Sequence, residues 1–488
     1  MSRPRRAGRV AVAAAVALAA LAAACSAPVV GEGTAPGASR PAAPEEPGSR
    51  RPNVVLLLTD DQRADGLSAA GTPVLRTPEL DRLAADGVRF ENAFVTTSIC
   101  AVSRASILSG QYARRHGVVD FATGVTADQI RDTYPARFRA AGYFTGFVGK
   151  WGLGGALPDT LFDVWNGFGG QGEYWTTDER GERVHLTRRM ERQSLAFLRA
   201  AAAQDAPFML SVSFKAPHVQ DPNLFLPDSA FDALYAGAAI PPPADTAYAR
   251  TEALPAFGFA DNPREEGRAR WRARFATDSV RQENVRRYYR LIAGVDRAVG
   301  ALRAELDRLG LAESTVILFT SDNGFFLGEH GLAGKWYGHD ESVRVPLVVY
   351  DPRSPVRAAV RPEIALNIDL APTVLDLAGL AVPAGVQGRS LRPLLYGQTP
   401  RTAWRTEFFY EHLFGYDGRI PRTEGVISDR FSYLRYLDAE PAVETLFDRA
   451  VDPTQSRDWT RHLDERPALA DTLRAMRGRW ARYREALR

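Results

Sequence analysis

Cysteine is scarce in this sequence, with two residues in a chain of 488, at positions 25 and 100. This excludes a fold held together by a disulfide framework, which small secreted domains need and a chain of this length does not. Charge of one sign is also lacking, because the formal net charge is only +3. Since a surface that binds nucleic acid is normally strongly basic, we expect no nucleic-acid partner. With 45% hydrophobic and 24% charged residues, the composition is typical of a globular protein with a large core.

Lysine is nearly absent, although basic residues are common. Of the 61 lysines and arginines, only Lys150, Lys215 and Lys335 are lysine. A lysine carries a compact ammonium group on a flexible stem, whereas arginine presents a planar fork of donors. The three lysines therefore indicate positions where a point charge is needed, provided that their neighbours also point to a site.

Long apolar runs are lacking apart from residues 10–24, which follow an arginine-rich head and are too short to span a bilayer. Residues 1–25 are therefore predicted to be a signal peptide. The stretch LAALAAACS leads into Cys25 and resembles the lipobox of bacterial lipoproteins, with a plain signal peptide as the alternative. Residues 26–52, rich in Pro, Ala, Gly and Ser, are predicted to be a disordered tether. We expect an exported lipoprotein, anchored at the cell surface or in the periplasm only through this N-terminal lipid, or otherwise a secreted protein.

From residue 53 onwards, apolar strands alternate with helical patterns. The segments NVVLLLTDD, YFTGFVGKW, PFMLSVSF and STVILFTSDNG are typical of buried strands, and residues 128–141 and 291–309 are typical of helices. This alternation predicts an α/β fold with a large, mostly parallel sheet sandwiched by helices. After about residue 400, short strands followed by a helix predict a smaller C-terminal α+β subdomain with a short antiparallel sheet. The expected domains are therefore 53–400 and 401–488.

Four of the predicted strands end in polar or charged residues. In parallel α/β sheets, ligands bind outside the carboxyl ends of the strands, so these residues are expected to gather at one edge. Carboxylate and amide oxygens select Ca²⁺ or Mg²⁺ over zinc, although an acidic pair at a strand end is often only a turn or a helix cap. Three carboxylates in one crevice would repel one another strongly without a cation. The residues at the four strand ends are Asp60, Asp61, Lys150, Lys215, His218, Asp322 and Asn323.

The segment CAVSRASILSGQY, which begins at Cys100, resembles the signature of type I sulfatases, Cys-x-(Pro/Ala)-Ser-Arg followed by a helix. Further segments are similar to this family in the same order: NVVLLLTDDQRAD, GKWGLG, KAPH and FTSDNGFFLGEHGLAGKW. The resemblance covers most of residues 53–460 and implies an alkaline phosphatase-like fold whose larger domain, 53–400, is catalytic. It also implies that Cys100 is oxidised to formylglycine by a formylglycine-generating enzyme, and that the hydrate of this aldehyde attacks the sulfur atom.

The resemblance implies a role for each residue that matches a motif. A divalent cation, Ca²⁺ with Mg²⁺ as the alternative, would be bound by Asp60, Asp61, Cys100, Asp322 and Asn323. The catalytic groups would be Cys100 as the nucleophile and Arg104, which would hold it. Lys150 and Lys335 would neutralise the sulfate oxygens, and His218, alone or with Lys335, would protonate the departing alcohol. A helix that starts near Ala101 would aim its free amide groups at the bound anion, with Arg104 one turn further on.

Two histidines are candidate substrate contacts. His116, in RRHGV, and His330, in GEHG, have hydrogen-bonded or structural histidines as their alternative interpretation. Lys215 is interpreted either as a residue that supports the site or as an ordinary charge at a strand end. Two positions depart from the family pattern: Val102, where Pro or Ala is common, and Gly152, where many members have a histidine.

The function predicted from these motifs is that of an exported sulfatase acting on a sulfated carbohydrate. The aromatic segment WNGFGGQGEYW, residues 165–175, favours a sugar substrate because aromatic faces stack on sugar rings, although the same rings could pack a loop. One alternative is a phosphodiesterase or phosphonate hydrolase of the same superfamily. Another is a lipid-anchored glycan-binding protein that has lost turnover, an alternative motivated by Val102 and Gly152.

Overall fold

The computed structural model describes residues 51–244, 252, 254–255, 258–259, 261–399 and 401–487. The predicted signal segment, 1–25, and nearly all of the predicted tether, 26–52, lie outside these residues. No helix within the described ranges has both the length and the apolar character that a membrane span requires.

The strands are β1 (Asn53–Asp60), β2 (Val88–Phe90), β3 (Ala93–Phe94), β4 (Phe144–Lys150), β5 (Val164–Phe168), β6 (Trp175–Thr177), β7 (Arg183–His185), β8 (Phe208–Pro217), β9 (Thr315–Ser321), β10 (Phe326–Leu327), β11 (Ala333–Gly334), β12 (Leu347–Tyr350), β13 (Ala359–Arg361), β14 (Ala365–Leu366), β15 (Glu407–His412), β16 (Thr423–Ser428), β17 (Phe431–Tyr436) and β18 (Val443–Asp448).

The α-helices are concentrated in the first 400 residues, with one long helix at the C-terminal end. They are α1 (Pro78–Asp86), α2 (Cys100–Ser109), α3 (Ala113–His116), α4 (Ala127–Ile130), α5 (Tyr134–Ala140), α6 (Leu186–Ala202), α7 (Glu266–Arg274), α8 (Asp278–Arg308), α9 (Asp340–Val343), α10 (Leu370–Leu377), α11 (Arg392–Leu395) and α12 (Ala468–Ala486).

The centre of the fold is an eight-stranded sheet with the order β13-β2-β12-β9-β1-β8-β4-β5. β1 lies between β9 and β8, is parallel to both, and is buried along its whole length. Only β12 runs against its neighbours, β9 and β2. The predicted α/β fold with a large, mostly parallel sheet is therefore confirmed.

Alternate side chains of β1 face different layers of the core. Val54, Leu56 and Leu58 belong to a core that includes residues of α2, α5 and α10. Val55 and Leu57 belong to a second core that includes residues of α1, α6 and α8. Because successive side chains of a strand point to opposite faces, a wholly apolar strand is buried by helices on both sides of the sheet.

The C-terminal part forms the predicted small antiparallel sheet, in which β15, β16, β17 and β18 pair in chain order. Trp480 of α12 donates from Nε1 to Glu424 of β16 at 3.0 Å, which joins the last helix to this sheet. The sheet also shares its core with the larger part, since the rings of Phe94 and Phe408 lie 5.1 Å apart. The boundary near residue 400 stays a prediction, because no separate core begins there among the described residues.

One predicted helix is wrong in its extent. The segment 128–141 contains two helices, α4 and α5, instead of one. Pro135 lies in the first turn of α5. A proline there would clash with the carbonyl four residues earlier if α4 continued, so the chain breaks and a new helix begins.

Candidate active site

The carboxyl ends of four neighbouring strands meet at one edge of the sheet, as the sequence predicted. β9, β1, β8 and β4 are consecutive in the strand order. Asp60 is the last residue of β1, and Asp322 follows β9 immediately. Lys150 ends β4, and His218 follows β8 by one residue. Strand order and direction alone therefore bring together side chains that are up to 262 positions apart in the chain.

Three carboxylates form a buried acidic cluster at this edge. Oxygen atoms of Asp60, Asp61 and Asp322 all lie within 4.8 Å of one another. Asn323 joins them, because its Nδ2 donates to Asp61 Oδ1 at 2.6 Å. Burial, followed by the charge of Asp60, raises the pKa of Asp322 to about 7. Ionisation of all three carboxyl groups without further compensation would therefore be unfavourable.

The donor set fits a hard divalent cation. Asp60 Oδ1 and Asn323 Oδ1 are buried and have no hydrogen-bond partner among the described residues. A buried oxygen acceptor without a partner costs about 1–3 kcal/mol, so such atoms call for a ligand. Carboxylate and amide oxygens are the ligands that Ca²⁺ and Mg²⁺ prefer. The structure thus contains an acidic cluster able to hold a divalent metal, and its chemistry does not distinguish between these two ions.

Three cations surround the acidic cluster. Arg104 donates from Nε to Asp322 Oδ2 at 2.8 Å and approaches Asp60 Oδ2 with Nη2 at 3.2 Å. Lys150 pairs with Asp60 through its ammonium group. Lys335 donates to Asp61 Oδ1 at 2.5 Å. Although burial opposes ionisation of Asp60, these neighbouring cations, Lys150 foremost, hold its pKa well below its usual range.

Cys100 is the first residue of α2 and is 1% exposed. Its Sγ atom accepts a hydrogen bond from Lys335 Nζ at 3.0 Å. Burial, and then the charge of Asp60, raises the pKa of the thiol, so sulfur stays protonated at neutral pH and is a poor nucleophile. Among the described residues, no side chain caps the start of α2, so the amide groups of its first turn are available to an anion.

His218 completes the edge of the cluster. Its Nδ1 lies 2.5 Å from the carbonyl oxygen of Val219, so Nδ1 carries the proton and donates it to that carbonyl. Its Nε2 lies 3.5 Å from Asp61 Oδ2 and is the nitrogen able to gain or lose a proton. Burial holds the pKa of His218 well below its usual range, so the free ring is neutral.

Gln171 also belongs to the site and was not predicted from the sequence. Its Oε1 accepts a hydrogen bond from Lys150 Nζ at 2.6 Å. Lys215 holds the loop that carries Gln171, because its Nζ donates to the carbonyls of Gln171 at 3.0 Å and Gly172 at 2.8 Å. This favours the interpretation of Lys215 as a residue that supports the site. Gln171 belongs to a glycine-rich loop, and no motif in the sequence marks it.

The two candidate substrate contacts lie in packed surroundings. His116 accepts at Nδ1 from the Val118 amide at 3.1 Å, and its Nε2 lies 3.0 Å from Ser106 Oγ. Both ring nitrogens are thus engaged, and burial lowers the pKa of His116 to about 4. The structure gives His116 a role in joining α3 to α2, which favours the alternative of a hydrogen-bonded histidine, and its contact with substrate stays a prediction. His330 is buried against the rings of Phe326 and His339, and its contact with substrate stays a prediction.

The two tryptophans of the aromatic segment 165–175 pack against neighbouring side chains. The ring of Trp165 stacks on Phe147 at 5.0 Å. Trp175 lies edge-on to His185 at 5.4 Å, and the guanidinium of Arg183 covers its ring at 4.4 Å. Both tryptophans are half-buried and pack on protein side chains, which favours the alternative interpretation that they pack a loop, and stacking on a sugar stays a prediction.

Gly152 lies against the guanidinium-bearing side chain of Arg104. It has a φ of +74°, and a Cβ atom at this position would lie 2.7 Å from Arg104 Cδ and 2.9 Å from Nε. The histidine that many family members have here would therefore require the Arg104 side chain to shift. The glycine that stands in place of the family's histidine at position 152 thus leaves the space that the Arg104 side chain occupies.

Comparisons with known proteins agree with this site. The family model described as Sulfatase matches residues 52–380, and the model described as N-sulphoglucosamine sulphohydrolase, C-terminal, matches residues 328–479. An N-acetylglucosamine-6-O-sulfatase of Bacteroides thetaiotaomicron is 27% identical over 475 residues, which cover 84% of this chain and 83% of the relative.

Two solved structures have similar folds. The structure of BT4656 in complex with its substrate D-glucosamine-2-N,6-O-disulfate matches with a TM-score of 0.74 and 25% identity, covering 90% of this chain and 98% of that one. A phosphonate monoester hydrolase from Silicibacter pomeroyi matches with a TM-score of 0.75 and 24% identity, covering 90% and 96%. The second similarity shows a shared fold and carries no information about substrate.

Proposed function

The chain belongs to the sulfatase family and is a sulfuric ester hydrolase, and from this premise we propose that it removes sulfate from a sulfated amino sugar. The observation that carries the proposal is the buried acidic cluster, which Arg104, Lys150 and Lys335 surround with positive charge. Asp60 Oδ1 and Asn323 Oδ1 have no hydrogen-bond partner among the described residues. The acidic cluster can bind a metal cation, and the positive charges around it can bind an anionic substrate at the same place.

The cation would be Ca²⁺, held by Asp60, Asp61, Asp322 and Asn323, with the side chain at position 100 beside it. When bound, it would polarise the sulfate oxygens and lower the pKa of the nucleophile. Lys335 lies within 3.0 Å of Cys100 Sγ and within 2.5 Å of Asp61 Oδ1, so its ammonium group is positioned to neutralise a sulfate oxygen at the same point.

Cys100 would act after oxidation to formylglycine, made by a formylglycine-generating enzyme. That group would supply an oxygen nucleophile, which agrees better with a hard cation than a protonated thiol does. The amide groups of the first turn of α2 orient the anion, and Arg104, held by two carboxylates, fixes the geometry of the cluster. Because Nδ1 holds the proton of the neutral free ring, His218 Nε2 would first take up the proton that the attacking hydroxyl loses and would then give it to the departing alcohol.

The substrate class follows from the relatives. The Bacteroides thetaiotaomicron relative is named for N-acetylglucosamine 6-O-sulfate, and BT4656 binds a sulfated glucosamine. We therefore infer a 6-O-sulfated glucosamine unit as the substrate.

Export through the N-terminal segment, with a lipid on Cys25, would expose the enzyme to such glycans outside the cytoplasm.

The test is to express the chain with a formylglycine-generating enzyme and to digest it with trypsin. The peptide from Phe90 to Arg104 contains Cys100, and its mass should show loss of sulfur and gain of an aldehyde oxygen. The same preparation should hydrolyse 4-nitrophenyl sulfate and N-acetylglucosamine 6-sulfate, and Cys100→Ala should abolish both activities.

Two outcomes would contradict the proposal. Faster hydrolysis of an aryl phosphonate or phosphodiester than of any sulfate ester would favour the phosphonate hydrolase alternative. An unmodified Cys100 thiol in the native host, combined with glycan binding and no turnover, would favour the non-catalytic alternative.

A further inference from the structure

Arg274 is a buried cation beside the proposed active site that the mechanism does not use. It is the last residue of α7 and is 1% exposed. Its Nε donates to Asn223 Oδ1 at 2.9 Å, and its guanidinium carbon lies 6.0 Å from the ring centre of Phe325. Asn223 follows His218 by five positions, and Phe325 follows Asn323 by two. Arg274 therefore lies between the two segments that bring His218 and Asn323 to the acidic cluster.

Arg274 has no carboxylate partner, unlike Arg104. Within the described part of the chain, no ion pair joins Arg274 to an aspartate or glutamate, and its Nη1 is buried without a hydrogen bond. Asp61, Asp221 and Glu266 are among the charges that act on Arg274, but within the described part of the chain none of them lies at ion-pair distance. Burying a guanidinium without a counter-charge is costly unless an anion pairs with it, since the group stays charged.

The helix that carries Arg274 is rich in arginine and strengthens the demand for an anion. Arg268, Arg270 and Arg272 belong to the same helix, whereas Glu266 is its only acidic residue. Burial, followed by the charge of Arg270, lowers the pKa of Arg274, so its surroundings disfavour the cation. An anion that pairs with the buried, unbonded Nη1 would relieve both effects.

Resting on the proposed function, we propose that Arg274 binds a second anionic substituent of the substrate, a sulfamate or a carboxylate, next to the sulfate ester that is hydrolysed. Asn223 is a positioning residue, because its Oδ1 fixes Nε and so directs the remaining nitrogens of the fork. The site would distinguish doubly charged from singly charged sugar sulfates. The difference would appear mainly in KM, since the second anion does not react.

The test compares Arg274→Gln with wild type on four probes. These are 4-nitrophenyl sulfate, N-acetylglucosamine 6-sulfate, glucosamine 2-N,6-O-disulfate, and a uronic acid–N-acetylglucosamine 6-sulfate disaccharide. Wild type should prefer one doubly charged probe, and the variant should lose about tenfold or more in kcat/KM on that probe alone. The probe affected tells whether the anion is the sulfamate or the carboxylate.

Two controls keep the inference falsifiable. Arg272→Gln removes the same charge from an exposed position on the same helix and should leave the preference unchanged. Asn223→Ala keeps the guanidinium and should raise KM for the doubly charged probe by a smaller factor. Thermal unfolding of each variant reports any loss of folding separately.

The inference is overturned if Arg274→Gln lowers turnover of all four probes equally, or if it changes none. It is also overturned if wild type hydrolyses aryl sulfate but shows no preference for either doubly charged probe. Failure of the proposed function itself would look different, because then wild type would hydrolyse no sulfate ester, 4-nitrophenyl sulfate included.

Discussion

Gly152 gives the sharpest test of how this site is held together. Its backbone is in the left-handed region, with a φ of +74°, and its missing Cβ leaves space that the Arg104 side chain fills. Gly152→Ala therefore introduces two separate effects. One is the strain of a non-glycine residue at positive φ, and the other is a collision with Arg104.

The magnitude of each effect follows from the geometry. A left-handed conformation costs a non-glycine residue about 1–2 kcal/mol of folding free energy. The new Cβ would lie 2.7 Å from Arg104 Cδ, whereas carbon atoms in contact lie about 3.5–4.0 Å apart, so Arg104 must shift by about 1 Å. Arg104 Nε is 2.8 Å from Asp322 Oδ2, and such a shift breaks this pair. A misplacement of about 1 Å at a catalytic centre can lower the rate by about 100-fold.

The assay pairs thermal or urea unfolding with kcat on 4-nitrophenyl sulfate, and the chain offers a matched control. Gly155 also has a positive φ, +80°, but its Cβ would meet only Gly124 Cα at an ordinary 3.7 Å. Gly155→Ala should therefore lose about 1–2 kcal/mol of stability and keep its kcat. Gly152→Ala should lose at least as much stability and about 100-fold in kcat. Equal kcat values for the two variants would refute the claim that Gly152 makes room for Arg104.

Three further predictions concern the surroundings of the cluster. Gln171→Leu removes the acceptor for Lys150 Nζ and should lower kcat/KM by about tenfold with a small change in thermal midpoint; an unchanged kcat/KM would contradict this role. Burial lowers the pKa of Lys215 to about 8, so its charge is present below that pH, and turnover should decline as the pH rises through about 8. In Lys215→Met, a pH–rate profile should show reduced activity and no such decline; a decline that persists would assign it to another group. Exhaustive treatment with a chelator should lower both turnover and the thermal midpoint, because Asp60, Asp61 and Asp322 then face one another without a cation. Added Ca²⁺ should restore both, and a midpoint that does not respond would argue against a metal.

The convergence of the strand ends was predictable because the alternation of strands with helices predicts parallel strands. The carboxyl ends of parallel strands lie at the same edge of a sheet. Asp60 and Asp322 end neighbouring parallel strands, so a correct strand assignment places them side by side. The reversed direction of β12 was not predictable, since periodicity describes which residues are buried and contains nothing about direction. The break before α5 had a visible signal, Pro135, which outweighs the helical pattern around it.

The contacts made by loops were beyond sequence reasoning for a different reason. Gln171 reaches Lys150 only because Lys215, 44 positions away, binds the carbonyl of Gln171 and fixes the loop. No periodicity or motif encodes such a long-range contact. The same holds for Arg274, whose burial results from the packing of α7 beside the segment of Asn223.

The scarcity of lysine now has a structural explanation. Lys150, Lys215 and Lys335 are all 1–3% exposed, and each donates to more than one acceptor. Lys335 reaches Asp61 Oδ1 at 2.5 Å and Cys100 Sγ at 3.0 Å from a single nitrogen atom. A tetrahedral ammonium group can donate in three directions from one point, whereas a guanidinium spreads its donors over a plane. In a chain that otherwise uses arginine, lysine is retained where several acceptors surround one position. This explains why the three lysines, although rare, all lie at the candidate active site.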